Sequence, residues 1–566
     1  MNKSLATCAI SASAFLLAAC NSGSSNDNPP AAAAPVATAP STAYFPAQND
    51  TAAYIDTRLQ IIFDAPPSLG TTGTIKIFRA SDNAVVDTID VSSAIVTDGA
   101  ETQTVIPYTN TEIDQIGKNV AGLTQWRYVY YQPVTINGNK ATIKLHDGVL
   151  AYNTDYYVLM NPGVLAGKVN GAGLTSITGA KGWAFHTKNA PASTTAVTVD
   201  DDGPADFRSV QGAINWMMAN GCVTCARSTD AKTITVKNGT YNELLFLRNV
   251  NNLTITGESR AGVVVQYDNF ESGNPSTGGS KTAVQTTLTA ELGQTRRALG
   301  GGRAVLLVEN ADLLKLSNFT LKNTHVKQTI FNNQAETIYF NSATLDGSRF
   351  IATYMNFISA QDTVQTKGWA WYYQSYIAGD VDFIWGSPFA ALFEESELHT
   401  VFDPTTPSGG YLFQARATFG YPGFVVLNSA LTADATVPAG SAYLGRSGGL
   451  TVANGYCNTK LVAGGGSLGN PNLGCDNIAY INNKIGPHIA SVGWFTQPAA
   501  SPVPDPVVPT VSAGWRERGS MNPDGSPASL IGRTGYSATG TDLSGVNTRA
   551  KVFAGWNSGA GWQPTP

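Results

Sequence analysis

Residues 354–400 read YMNFISAQDTVQTKGWAWYYQSYIAGDVDFIWGSPFAALFEESELHT. Three short runs of alternating apolar residues stand out (354–360, 373–379 and 393–400), and two more of the same shape lie at 316–322 and 424–432. Superposing the runs on Phe357, Tyr376 and Leu398 gives spacings of 19 and 22 residues. A period near 20 with one short strand per face is the requirement of a parallel β-helix, whose coils stack about 4.8 Å apart. In that alignment Asp362 follows Phe357 by five residues and Asp382 follows Tyr376 by six. Both carboxylates then leave the same edge of one sheet on adjacent coils. Two carboxylates so close cannot both ionise easily, so one keeps its proton near neutral pH beside an ionised neighbour. That is the pairing an acid and a nucleophile need. Stacked aspartate and asparagine turns are also ordinary in β-helices, so spacing alone leaves a structural role open.

Outward from this stretch, the chain of 566 residues is too long for one core. With 57 glycines and 13% charged residues it favours turn-rich β architecture. A net charge of −5 argues against nucleic acid as a partner and gives no global attraction for an acidic polymer. Residues 1–19 read as a processing signal: Lys3, an apolar run from Ala9 to Leu17, then Leu17-Ala18-Ala19-Cys20, which looks like a bacterial lipobox. Cys20 is the expected lipidation site. Residues 20–42, almost all Asn, Ser, Gly, Pro, Ala and Thr, form a flexible tether. The expected location is the cell envelope, lipid-anchored to a membrane. Asn21 rather than Asp after Cys20 favours the outer one, facing either periplasm or exterior.

Residues 43–190 alternate in short strands (59–63, 74–78, 84–91, 127–131, 141–145, 156–160 and 183–187), with Asn137-Gly138 as a hairpin signal. About seven strands in this length predict a β-sandwich resembling bacterial immunoglobulin-like spacers. No acid–base or nucleophile cluster appears there, so the region is expected to be dispensable for chemistry. From residue 194 to 566 the character changes. Asp206 precedes a helical pattern (Phe207, Val210, Ile214, Met217, Met218), and β-helical runs follow. The expected class is therefore all-β, a parallel β-helix preceded by a sandwich. In an oxidising compartment Cys222 and Cys225 read as a local disulfide and Cys457 with Cys475 as a second.

Six blocks in order resemble those of the pectin methylesterase family. They are Gly239-Thr240-Tyr241-Asn242-Glu243, Gln334-Ala335, Gln361-Asp362-Thr363, Gly379 to Gly386, Leu444-Gly445-Arg446, and Ile485-Gly486-Pro487-His488 with Gly493-Trp494. The resemblance implies a right-handed β-helix that hydrolyses methyl esters of polygalacturonate. It implies Asp382 as nucleophile, Asp362 as general acid and then base, and Gln334 and Gln361 as donors to the oxyanion. Arg446 would orient Asp382, and with Gln334 would touch substrate. No metal or cofactor is needed, the partners are pectin and a membrane, and one copy of the chain suffices.

The chain departs from the family pattern at Ser447, where a substrate-stacking Trp block is interrupted, at Gln365 in place of Tyr, and at Trp385 in place of Phe. Trp385, Trp371 and Trp369 are the candidates to restore stacking on the sugar. The run Gly445 to Gly449 fits a serine-hydrolase elbow formally, but no helix start follows it. A lyase would need a calcium-binding acidic cluster. A thioester or other acyl hydrolase and a non-catalytic polysaccharide binder remain as alternatives.

Overall fold

The computed structural model describes residues 43–92, 110, 112–117, 127–179, 182–274, 302–407, 409–417, 420–448, 477–495, 514–533, 537–539 and 542–566. The expectations for Cys20 and for Cys457 with Cys475 lie outside the described residues.

Alternating sequences bury one face, and the first region does so with two larger sheets beside a small three-stranded one (Ser68–Leu69, Leu165–Val169 and Ala172–Leu174). Tyr44–Phe45, Leu59–Ile62, Lys140–Ile143 and Val134–Asn137 form one sheet; Asp50–Ala53, Trp183–Thr187, Asp155–Met160, Thr74–Arg79 and Ala84–Asp90 form the other. Leu59, Ile61 and Ile143 share a core with Ile77, Val158 and Phe185. The hairpin turn falls one residue later than expected: Lys140 pairs with Asn137, so Gly138 and Asn139 make the loop, with Gly138 at φ +57°. One expected sandwich strand does not join either sheet. Arg127–Tyr131 pairs with Glu112–Ile116 as a separate two-stranded arm.

The helix runs over Val210–Gly221, and its N-cap is Ser209, not Asp206. Ser209 accepts from Gly212 N, whereas the Asp206 carboxylate accepts from Thr198 N. Two further carboxylates serve the same helix start. Asp56 of the sandwich accepts from the backbone N of Arg208 and Ser209, and Glu243 accepts from Val210 N at 3.0 Å and Gln211 N at 2.9 Å. The glutamate of the Gly239–Glu243 block is thus a buried helix cap. The Cys222–Cys225 disulfide follows the helix.

Three parallel ladders then wind into a β-helix. One contains Asn356–Ile358, Tyr376–Gly379 and Glu397–Thr400; a second contains Leu245–Arg248, Leu306–Glu309, Ile338–Asn341, Tyr411–Ala415 and Tyr443–Ser447. The long strands Val364–Tyr373 and Ile384–Glu394 run through the second ladder into the third. The observed register pairs Phe357 with Ile377 and Leu398, so superposing on Tyr376 was one residue out. Corrected, Asp362 and Asp382 each follow their strand centre by five residues. Six successive coils turn one corner at a residue with left-handed φ: Asn318, Tyr354, Gln374, Glu395, Asn428 and Asn482. Tyr, Gln and Glu there each cost about 1–2 kcal/mol of backbone strain, which lateral bonds such as Tyr354 N to Tyr373 O at 3.0 Å offset. Behind the corner runs a buried ladder in which the backbone N of Met355, Ser375, Ser396 and Ser429 donates in turn to Ser375, Ser396, Ser429 and Asn483.

The C-terminal segment folds back on the third ladder. Leu543, Val552, Phe553 and Trp562 cover the outward side chains of Trp369, Trp371, Leu392 and Val425.

Because Glu243 caps two buried N–H groups, Glu243→Ala is expected to lower the free energy of unfolding by about 1–3 kcal/mol, while Glu243→Gln, which keeps one acceptor, falls between. Denaturant melts of the three proteins check this. A change below about 0.5 kcal/mol in the alanine variant, the scale of an unremarkable surface substitution, would show that the cap contributes little.

Candidate active site

Asp362 and Asp382 occupy the same corner of adjacent coils, with left-handed φ of +63° and +50°. Asp362 N donates to Val381 O at 3.0 Å, and Val364 pairs with Ile384 immediately beyond. Aspartate tolerates this backbone better than most side chains, and here it aims both carboxyl groups out of one edge. Both residues are buried.

Different surroundings separate the two. Asp382 accepts from Arg446 Nε at 2.8 Å on one oxygen, and from Arg446 Nη2 at 2.5 Å and Gln414 Nε2 at 2.7 Å on the other. Acceptance at both oxygens is the pattern of an ionised carboxylate. Among the described residues the Asp362 carboxyl receives one hydrogen bond, from Arg303 Nη2 at 3.0 Å. That guanidinium is shared: it forks onto Glu336 at 2.7–2.9 Å and reaches Glu271 at 3.0 Å. One cation therefore serves three carboxyl groups. Burial pushes the Asp362 carboxyl well above the usual range; Arg303 opposes this, and the charges of Glu336 and Asp382 add to it. Arg303 loses from burial but gains more from Glu336 and Asp362, so it stays charged. The two carboxyl groups therefore stand in different surroundings: burial disfavours the charged form of Asp362, while donors meet both oxygens of Asp382.

Gln334 and Gln361 are brought to adjacent coils by the Ala335 N to Gln361 O bond of 3.1 Å. The site also collects polar atoms without a protein hydrogen-bond partner: Gln334 Oε1, both amide atoms of Gln365, Gln414 Oε1, Arg416 Nε and Trp385 Nε1. Such groups are costly when buried and mark a place built for something other than packing.

The expected aromatic contacts need correction. Trp371 is fully buried beneath the C-terminal segment, donates to Glu394 at 2.7 Å and lies 3.9 Å below Arg549. It packs the fold and offers no face to a sugar, and Trp369 is buried in the same cluster. Trp385 is 8% exposed, wedged between the guanidinium groups of Arg303 at 5.6 Å and Arg416 at 5.4 Å. A half-buried aromatic group that sequence reasoning missed stands beside Asp382. Tyr411 and Tyr443 lie stacked with centroids 5.8 Å apart, Phe495 packs edge-on to both, and Arg446 sits 5.0 Å over Tyr411. Also missed were Arg303, Glu336, Gln414 and Arg416. Gln414 was findable, since it sits in an alternating strand between the second aspartate block and the Arg446 block. Arg303 carried no local signal. Asp380, within the second aspartate block, is not part of the pair: it forms a buried ion pair with Lys327.

Among the described residues, Asp200, Asp201 and Asp202 are the one acidic group with metal-ligand spacing, and they sit on the turn before the helix. The aspartate pair itself is matched by guanidinium groups.

No family model matches the chain. It is 28% identical over 255 residues to a pectinesterase of Ralstonia nicotianae and 27% identical over 256 residues to one of Ralstonia solanacearum, covering 43% of this chain in each case. The match spans 61% of the length of each of these relatives. Among solved structures, similar ones are PemA of Erwinia chrysanthemi, a pectin methylesterase (TM-score 0.46, 22% identity, 65% of this chain and 99% of that one), and Escherichia coli ybhC (TM-score 0.40, 17% identity, 66% and 87%). The six sequence blocks and these curated relatives agree: over 43% of its length the chain is similar to pectinesterases.

Proposed function

We propose that this protein hydrolyses methyl esters of polygalacturonate to free carboxylates and methanol. The observation that carries the reading is the unlike pair: Asp382 accepts from Arg446 and Gln414 on both oxygens, and burial raises the pKa of Asp362 on the adjacent coil. In the first half-reaction an Asp382 oxygen attacks the ester carbonyl carbon. The tetrahedral oxyanion collapses, the C–O bond to methanol breaks, and Asp362 gives its proton to the departing oxygen. This leaves an anhydride between Asp382 and the sugar acid, with Asp362 ionised. In the second half a water attacks the sugar's carbonyl carbon while Asp362 takes its proton, which frees the uronic acid and restores Asp382. Ester plus water gives acid plus methanol, and the enzyme returns unchanged. N–H groups of Gln334 and Gln361 meet the developing oxyanion, worth about 3 kcal/mol for one good donor. Tyr411, Tyr443 and Phe495 supply the aromatic face that the block at Ser447 lacks. A lipid on Cys20 and the tether after it would hold the enzyme at the envelope surface. A thioester of similar acyl chemistry would use the same steps, so an acyl-CoA assayed in parallel separates the two readings.

Asp382→Asn and Asp362→Asn are each expected to cut kcat for methanol release roughly 10²–10⁴-fold or more, the scale of losing a positioned catalytic group. The double variant should be little worse than the Asp382 variant, because an acid has nothing to assist once the nucleophile is gone. Retention of a tenth of wild-type kcat in Asp382→Asn would sink the nucleophile assignment.

The acid must carry its proton, so activity falls as pH rises through the Asp362 pKa. The charge on Glu336 holds that pKa up. Removing it in Glu336→Gln lowers the pKa, and the basic limb of the kcat/KM profile should move to lower pH. A basic limb that stays put or moves upward would show that Asp362 is not the group controlling it.

A further inference from the structure

The second ladder presents one continuous outward row. Successive register pairs align Phe246, Leu307, Tyr339, Gln365, Trp385, Gln414 and Arg446, each on the next coil. Their neighbours in the strands, such as Leu245, Leu306, Ile338, Val364 and Ile384, point into the helix core. A polymer lying on this face would follow the row, crossing about 4.8 Å per coil. Yet Phe246 and Leu307 are fully buried although they face away from the helix interior. What covers them is the arm of the first region: Ile116 and Val129 join Leu244, Phe246, Ala304, Leu307, Tyr339 and Trp385 in one hydrophobic cluster.

The arm is fixed at both of its attachments. On the β-helix side Asn274 grips the backbone of Tyr130 twice, accepting from its N at 2.7 Å and donating to its O at 3.1 Å. On the sandwich side the buried Asp114 pairs with Lys144 and accepts from Asp147 N at 2.8 Å, and Asp147 accepts from Gly117 N at 2.9 Å. The first region is therefore no detached spacer. It reaches to the coil before the aspartate pair.

The opposite side differs. The register that aligns Ile384 with Phe413 also brings Tyr411 and then Tyr443 onto the coils after Asp382. These half-buried rings, with Phe495, form a platform of the kind sugars stack on.

We infer that the arm seals the cleft on its N-terminal side and makes it one-ended, so that the protein attacks esters at or near one terminus of a uronan chain. The inference rests on the proposed ester hydrolysis and adds to it the position of attack. The Asp362 coil lies two coil steps from that of Leu307, with only the coil of Tyr339 between them, so at a spacing of about 4.8 Å at most about two sugars fit before the wall. On the aromatic side the chain runs on.

The test uses the full-length protein and a fully methyl-esterified hexagalacturonate, labelled at its reducing end with ¹⁸O. Brief digestion followed by tandem mass spectrometry shows which residue loses its methyl group first. The expected first product has lost a methyl within two residues of one end, the same end in every molecule, with at least a tenfold preference over the central residues. First loss from the central residues, or even loss along the chain, overturns the sealed end while leaving ester hydrolysis intact. No methanol from oligomer or polymer overturns both. Replacing the arm's contacts with Ile116→Asp and Val129→Asp should raise central attack at least tenfold in a variant that keeps its thermal melt. An unchanged pattern in that folded variant also counts against the arm. Should the variant fail to fold, the wild-type map decides alone.

Discussion

Lateral backbone pairing between coils is the constraint from which the rest of this molecule follows. Each strand residue is locked to the residue one coil away, so a side chain's neighbours are set by coil position and not by local sequence. Val364 pairs with Ile384, and that single register fixes Asp362 against Asp382 two residues earlier and Gln365 against Trp385 one residue later. The left-handed corners show how firm the lock is. Tyr354, Gln374 and Glu395 adopt a conformation their side chains disfavour because the bonds on either side leave no alternative. The same lock makes the two aspartates cheap to place, since their corner conformation is one Asp accepts readily.

Register explains proximity, but the difference between the two carboxyl groups is electrostatic. A symmetric pair would share a proton and leave either group able to play either part. Here Arg446 and Gln414 saturate Asp382, while Arg303 divides its donors among Glu336, Glu271 and Asp362. Burying that many charges stabilises little on its own account, because desolvation offsets most of the Coulomb gain. Its effect is to give the two carboxyl groups unlike surroundings. The polar atoms of Gln334, Gln365, Gln414, Arg416 and Trp385 that lack protein partners lie around the same pair. Polar atoms of this kind also occur elsewhere, at Tyr372, Thr400, His488 and Trp494, but around the aspartates those of Gln365, Trp385 and Gln414 belong to side chains on adjacent coils of one ladder.

What the sequence disclosed and what it hid divide along the same line. The period near 20, the aspartate pair, the sandwich strands and the Cys222–Cys225 link were legible because each is written in local spacing. The register was misplaced by one residue because Tyr376 and Ile377 are both apolar, and only the partner strands decide which faces inward. Trp371 reads as a sugar contact in the sequence because nothing near it announces Leu543, Val552, Phe553 and Trp562, which cover it. Arg127–Tyr131 alternates like its sandwich neighbours, so its departure to form an arm could not be read from pattern. Arg303 and Glu336 are isolated charges in apolar runs, visible as an oddity but without a partner until the coils are stacked.

A β-helix has long outward faces, and each must be solvated, covered or used. The third ladder is covered by Leu543, Val552, Phe553 and Trp562, which turn Trp369 and Trp371 from exposed aromatics into core. The second ladder is covered over its early coils by Ile116 and Val129, and over its later coils it carries Gln414, Arg446, Tyr411 and Tyr443. The aspartate pair lies at the boundary between the covered and the uncovered part. Asp362 is itself buried, and burial is the largest cause of its raised pKa, with the charges of Glu336 and Asp382 adding to it. The covered stretch and the buried acid thus lie within one coil of each other: Tyr339 of the arm's cluster pairs with Gln365, three residues after Asp362.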